Sequence, residues 1–187
     1  MIFLKYIAAG QGVMALCCLF YAAWWYVAYN PKVNVNEFGG MAGILFWITF
    51  ACGIAAIYLN IYGIRNLADV KQICLIGGAA YVILFAVTVF IFHRPLTAEL
   101  FLIVAWANLE TAAIFAAFQG NFPKILILIV TVATIFALIS YLLYYNVDEL
   151  KAFYLGMLPL ILDAISAAVI SISIISKLKK KFSEVIL

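Results

Sequence analysis

The chain has 187 residues, of which 69% are hydrophobic and 10% are charged, and its formal net charge at pH 7 is +3. A soluble domain carries about 25% charged residues, and a chain this short leaves too much of its surface in water to hide so many apolar side chains. The composition therefore excludes a soluble globular domain. Its apolar runs are continuous and lack the alternation of barrel strands, so they predict membrane-spanning helices.

Apolar runs long enough to cross a hydrocarbon core of roughly 30 Å follow one another between short polar segments. These segments contain the Asn, Pro, Gly and charged residues that end or begin helices. The pattern predicts six transmembrane helices, at 5–29, 39–63, 72–92, 96–119, 123–145 and 150–176. The expected fold class is an all-α membrane six-helix bundle that forms one transmembrane domain over 1–187. The first run is long enough to span and lacks a clear cleavage site, so we expect it to be a retained helix.

Basic residues are distributed unevenly between the two sides of the predicted bundle. With both ends inside, the cytoplasmic segments hold eight of the 11 Lys and Arg residues and the outer loops hold three. This bias predicts a cell-membrane protein with cytoplasmic N- and C-termini. The lysine-rich segment at 177–181 is expected to lie near anionic lipid headgroups.

The helices pair into three consecutive hairpins, at about 5–66, 71–120 and 124–177. The second and third hairpins overlay without a gap after a shift of 53 residues, which places Lys71 on Lys124 and Glu110 on Asp163. All three hairpins share one orientation, so the repeat is parallel and differs from the inverted repeats of many transporters.

Three short segments carry a resemblance to a known family. Tyr29-Asn30-Pro31 lies at an outer turn, while Asn108-Leu109-Glu110 and Leu162-Asp163 bring an acid deep into a returning helix. In these features the chain resembles the HdeD-type acid-resistance membrane proteins. The resemblance implies three helical hairpins and a role in tolerance of acid stress, without a settled chemical activity.

Glu110 and Asp163 are the candidate functional residues. Each lies 13 or 14 residues into a predicted helix, so both carboxyl groups are expected roughly 20 Å below the outer surface, near the midplane. A lone charge there costs at least about 2.5 kcal/mol. One interpretation is a path for a proton or cation; the other is packing, with each neutral carboxyl bonded to another helix. Further polar candidates for the path are Asn108, Thr111, Ser166 and Asn60.

Other residues point to helix shape and packing. Pro159 lies four residues before Asp163 and leaves the carbonyl near Leu155 without its helical partner, which predicts a kink. Small residues spaced four apart allow helices to approach closely, within the bundle or across a dimer interface. These packing candidates are Gly39, Gly43, Ala112 and Ala116.

The sequence lacks the patterns of catalytic and cofactor sites. There is one histidine, His93, and neither a metal-binding set nor a nucleophile or phosphate-loop motif. We expect no enzyme activity, no cofactor or metal and no nucleic-acid partner. The bilayer is the expected partner, with a homo-oligomer or larger membrane complex as possible assemblies. The functions left open are stress tolerance through proton or small-solute movement, a structural or accessory subunit, and a channel or substrate-binding subunit of a larger transporter.

Overall fold

The computed structural model describes residues 2–30, 32, 35–65, 69–118, 123–144 and 147–186. Over these residues the chain forms six α-helices: α1 (Ile2–Tyr29), α2 (Val35–Ile64), α3 (Asp69–Phe90), α4 (Pro95–Ala117), α5 (Lys124–Tyr144) and α6 (Glu149–Ile186). Each helix contains a segment long and apolar enough to cross a membrane. The predicted fold class, an all-α six-helix membrane bundle, is confirmed.

The predicted start of α2 and the predicted end of α6 are wrong. α2 begins at Val35, four residues earlier than expected. α6 continues ten residues beyond the predicted end, to Ile186, and its 38 residues make a helix about 57 Å long. Lysine is a good helix former and no Gly or Pro follows Pro159 in the sequence, so nothing ends α6 at the membrane surface. The predicted turns near Pro31, Asn66, Gly120 and Asn146 lie partly outside the described residues.

The turn between α3 and α4 contains His93 and Arg94. His93 adopts a φ of 53°, in the left-handed region, and reverses the chain. The Arg94 N–H donates to the Thr88 carbonyl at 3.0 Å. Pro95 occupies the start of α4, where its missing N–H leaves no helical hydrogen bond unmade.

Asp148 caps the start of α6. Its Oδ1 accepts the Lys151 N–H at 2.9 Å, which satisfies one of the free donors of the first helical turn. The Lys151 amino group lies 2.7 Å from Asp148 Oδ2. Hydrogen bonds from the Lys151 side chain and backbone lower the pKa of the Asp148 carboxyl.

Three helices form the inside of the bundle. α1, α4 and α6 contact one another, and each also packs against its hairpin partner: α2, α3 and α5 respectively. The apolar 18-residue segments of α1, α4 and α6 are 44%, 56% and 50% buried, against 6% in α2, 11% in α3 and 33% in α5. The three hairpins are therefore arranged with one helix each inside and the other largely facing the surroundings.

The inner helices approach closely where small residues line them. Ala112 and Ala116 of α4 are both buried, in the core that α4 shares with α1 and α6. By contrast, no described atom of another element lies within 4 Å of a Cβ placed at Gly43. Gly43 therefore has no close neighbour among the described residues, which agrees with the dimer-interface alternative for this glycine, and the surroundings of Gly39 lie outside what is described.

Lys177 joins the lysine-rich end of α6 to the end of α4. Its amino group donates to the Ala117 carbonyl and lies 4.9 Å from the centroid of the Phe118 ring. A cation at this position compensates the free carbonyls at a helix C-terminus. Lys177 therefore binds another helix, while Lys179 and Lys180 are exposed.

Candidate functional site

The two candidate acids lie together inside the bundle. Glu110 of α4 is 1% exposed and Asp163 of α6 is 5% exposed. Their carboxyl groups are close enough to interact electrostatically. The contact between α4 and α6 thus brings together two residues that are 53 positions apart in the sequence.

Ser166 is the third polar residue of this site. It lies three residues after Asp163, on the same side of α6, and is fully buried. Its hydroxyl interacts with the Glu110 carboxyl, but neither Ser166 Oγ nor Glu110 Oε1 completes a hydrogen bond with a described residue. Since buried polar atoms are normally hydrogen-bonded, the Ser166 hydroxyl and the Glu110 carboxyl are each other's nearest suitable partners in this site.

A thiol from α1 and an indole from α4 lie beside the site. The Trp106 Nε1–H donates to Cys18 Sγ at 3.3 Å. Trp106 lies one turn before Glu110 on α4, and the Cys18 thiol interacts electrostatically with both Asp163 and Glu110. Within the described residues neither carboxyl forms a salt bridge with a Lys, Arg or His side chain.

This arrangement favours the binding of a proton. Two adjacent carboxylates without a cation repel each other, and a proton bound to either group reduces that repulsion. Across the described residues, no group of three or more His, Cys, Asp or Glu side chains is placed to hold a metal ion. Three side chains in the bundle interior can therefore exchange protons: Glu110, Asp163 and Ser166.

Two of the predicted path residues bond to their own helix. The Asn108 Nδ2–H donates to the Val104 carbonyl at 2.8 Å, and its Oδ1 would lie 3.3 Å from a Cβ placed at Gly77 of α3. The Thr111 hydroxyl donates to the Ala107 carbonyl at 2.7 Å. Asn108 thus faces α3, and neither residue forms a described hydrogen bond with the acids.

Asn60 lies in a separate polar contact between α1 and α2. The Gln11 Nε2–H donates to Asn60 Oδ1 at 2.9 Å, and the Asn60 Nδ2–H donates to the Ala56 carbonyl at 2.8 Å. Both amides are fully buried. Gln11 Oε1 has no partner among the described residues. A Cβ at Gly10 would meet the Asn60 side chain, so the glycine permits this close approach.

Pro159 lies inside α6, and its missing hydrogen bond is replaced from α5. The Ser140 hydroxyl donates to the Leu155 carbonyl at 3.0 Å. Leu155 is four residues before Pro159, so its carbonyl is the one that the proline leaves without a donor. A neighbouring helix thus satisfies the group, as transmembrane prolines require.

Glu99 is a buried acid that the sequence reasoning missed. It is 8% exposed, and its Oε1 accepts the Tyr21 hydroxyl at 3.2 Å. Glu99 lies in the second turn of α4, near the predicted membrane surface. An acidic side chain at such a position is ordinarily hydrated. One signal was available: Glu99 precedes Glu110 by 11 residues, about three helical turns, which places both on one side of α4.

No protein-family model, curated protein or solved structure matches the chain. The function proposed below therefore depends on residues of this chain alone.

Proposed function

We propose that this small polytopic membrane protein moves protons, or a small solute together with protons, and so supports tolerance of acid or membrane stress. The observation that carries this proposal is the Glu110–Asp163 pair, which lies between α1, α4 and α6 beside the buried Ser166 hydroxyl. Ionisable residues inside a membrane are rare because of their cost, and they commonly mark ion or proton pathways.

Proton exchange is the chemistry that these groups favour. A charged carboxylate in the bilayer centre costs at least about 2.5 kcal/mol, so binding a proton at this pair recovers part of that cost. Ser166 can both donate and accept a hydrogen bond, which suits a group that stays beside the pair as its protonation changes. The proposed role requires no enzyme activity, cofactor or metal.

The membrane orientation of the chain and its relationship to a known family are also proposed. The distribution of lysine and arginine supports a cell-membrane location with both termini in the cytoplasm. A relationship to the HdeD-type proteins, proposed from the outer turn and the two acids, would agree with a role in acid stress.

The test is proton flux through the purified full chain in liposomes that contain a pH-sensitive dye, under an imposed membrane potential. We expect wild-type flux above that of empty liposomes, and a loss of at least about tenfold in Glu110→Gln and in Asp163→Asn. Asp148→Asn is the matched control, because Asp148 is an exposed acid outside the spans and asparagine can keep its cap. Wild-type flux equal to that of empty liposomes would overturn the proposal.

A structural or accessory subunit is the second candidate. It is favoured by the small exposed surface of the acids and by the buried alanines beside them, which describe a closely packed interior. In this case the pair contributes to helix association, so Glu110→Gln and Asp163→Asn would lower stability while wild type shows no flux.

A subunit of a larger transporter is the third candidate. It is favoured by α2 and α3, whose most apolar segments are only 6% and 11% buried and are available to a partner. The purified chain would then show flux only when reconstituted with its partner, whereas a self-sufficient transporter would need none.

A further inference from the structure

An open groove lies between α1 and α6, and neither acid of the Glu110–Asp163 pair lines it. It has a volume of about 480 Å³, and Lys5, Gly12 and Leu16 line it from α1, with Ile175 and Leu178 from α6. Lys5 and Leu16 are 11 residues apart, so the groove is about 16 Å long. That is roughly half of a 30 Å hydrocarbon core, the depth of one lipid leaflet.

The groove is apolar along its length and cationic at one end. Ser171 also lines it, but the Ser171 hydroxyl donates to the Ala8 carbonyl at 2.8 Å and is thereby satisfied within the protein. Leu16 and Ile175 are 50% and 42% exposed. Lys5 is the charged lining residue, and it lies at the lysine-rich end of the bundle.

A second lysine lies close to the same end. Lys179 is exposed and follows Ile175 by four residues, which places it on the same side of α6. Lysines at a membrane surface attract anionic headgroups, while an apolar groove of one-leaflet depth accepts an acyl chain. Both features belong to one kind of molecule, an anionic phospholipid.

We propose that the α1–α6 groove binds one anionic phospholipid, with an acyl chain along Gly12 and Leu16 and its phosphate beside Lys5. This site is separate from the Glu110–Asp163 pair, so it does not depend on proton movement by the protein. The site would favour an anionic phospholipid over an uncharged one beside α1 and α6 at the lysine-rich end.

The test uses native mass spectrometry of the purified full chain in mild detergent, with added phosphatidylglycerol or phosphatidylcholine of the same acyl chains. We expect wild type to retain one phosphatidylglycerol with an affinity about fivefold above that for phosphatidylcholine, the contribution of one lysine near the headgroup. Lys5→Gln should remove most of this preference and leave phosphatidylcholine binding unchanged. Lys124→Gln, an exposed lysine at the start of α5, is the charge control.

A substitution that fills the groove tests the acyl-chain site. A Cβ at Gly12 would meet only the Ser171 hydroxyl, at an ordinary 3.5 Å, so Gly12→Leu can extend into the groove. We expect it to weaken both lipids by about tenfold or more. Gly43→Leu is the matched control, since a Cβ there has no neighbour within 4 Å. If Gly12→Leu does not fold, Ala9→Leu fills the same groove from an exposed position.

Two results would overturn the proposal. One is a preference for phosphatidylglycerol that is as strong in Lys5→Gln as in wild type. The other is lipid retention that is equal in the groove-filling and control variants, which would mean that the lipid binds elsewhere on the bundle.

Discussion

The indole ring of Trp25 lies against Gly156 so closely that no side chain fits between α1 and α6 at this point. Trp25 is 2% exposed, and its Nε1–H donates to the Phe153 carbonyl at 3.2 Å. The first and last helices of the chain are therefore joined by packing and by a hydrogen bond near the same turn of α6.

Gly156→Ala should destabilise the protein, because the added methyl group would overlap the Trp25 ring. We expect a loss of about 1–3 kcal/mol in the free energy of unfolding, although alanine favours a helix more than glycine. The measurement is unfolding by SDS in mixed micelles. Gly43→Ala, where a Cβ has open space, serves as the control and should be at least as stable as wild type. Equal stability of the two variants would contradict the close packing at Trp25.

Ser140→Ala should cost stability because it removes the donor to the Leu155 carbonyl. Hydrogen bonds between membrane helices contribute about 0.6 kcal/mol on average and up to about 1.7 kcal/mol. In a Pro159→Ala background the cost should shrink, since residue 159 then supplies an N–H to that carbonyl. A double-mutant cycle of unfolding free energies measures the difference. Equal costs in both backgrounds would show that Ser140 does not compensate for the proline.

Removing one member of the buried Gln11–Asn60 pair should cost stability, because the other member then loses its hydrogen-bond partner. Gln11→Leu leaves Asn60 Oδ1 without its donor, and Asn60→Leu leaves Gln11 Nε2 without its acceptor. Each single change should cost about 1–3 kcal/mol, whereas the double change should cost less than the sum. The measurement is again the free energy of unfolding of all four proteins. Strictly additive costs would mean that the amides contribute independently.

Tyr21→Phe should alter the environment of Glu99 and leave the fold intact, because it removes only the hydroxyl that Glu99 accepts. The expected result is a shift of one carboxyl band between the infrared spectra of wild type and Tyr21→Phe. This band should be absent in Glu99→Gln. Tyr26→Phe, at a 48% exposed tyrosine, is the control. A spectrum that is unchanged in Tyr21→Phe would contradict the hydrogen bond.

Apolar run length was enough to predict the helices, because each run must satisfy its backbone inside the membrane as a helix. The similar level of Glu110 and Asp163 along the bundle followed from counting residues along two helices of the same direction. Their direct interaction did not follow, because residue counting fixes depth but not which sides of α4 and α6 face each other. The same limit applies to Asn108, which was expected near the acids and faces Gly77 of α3.

Glu99 and the end of α6 were missed for a different reason. An acid or a lysine near a predicted membrane surface is ordinarily hydrated, so neither attracts attention in a single sequence. In the structure Tyr21 covers Glu99 from α1, and Lys177 binds the Ala117 carbonyl of α4. Both contacts come from helices far away in the sequence, and helix periodicity alone contains no information about them.

The inner position of α1, α4 and α6 has a consequence for the order in which the protein is made. α1 is synthesised first, yet Trp25 finds the Phe153 carbonyl only when the last helix has entered the bilayer. Until then Glu110 lacks Ser166 and Asp163, and the side of α4 that carries it has no final neighbour. A chain halted before residue 149 would contain five of these six helices but an open interior, so completion of the core waits for the synthesis of α6.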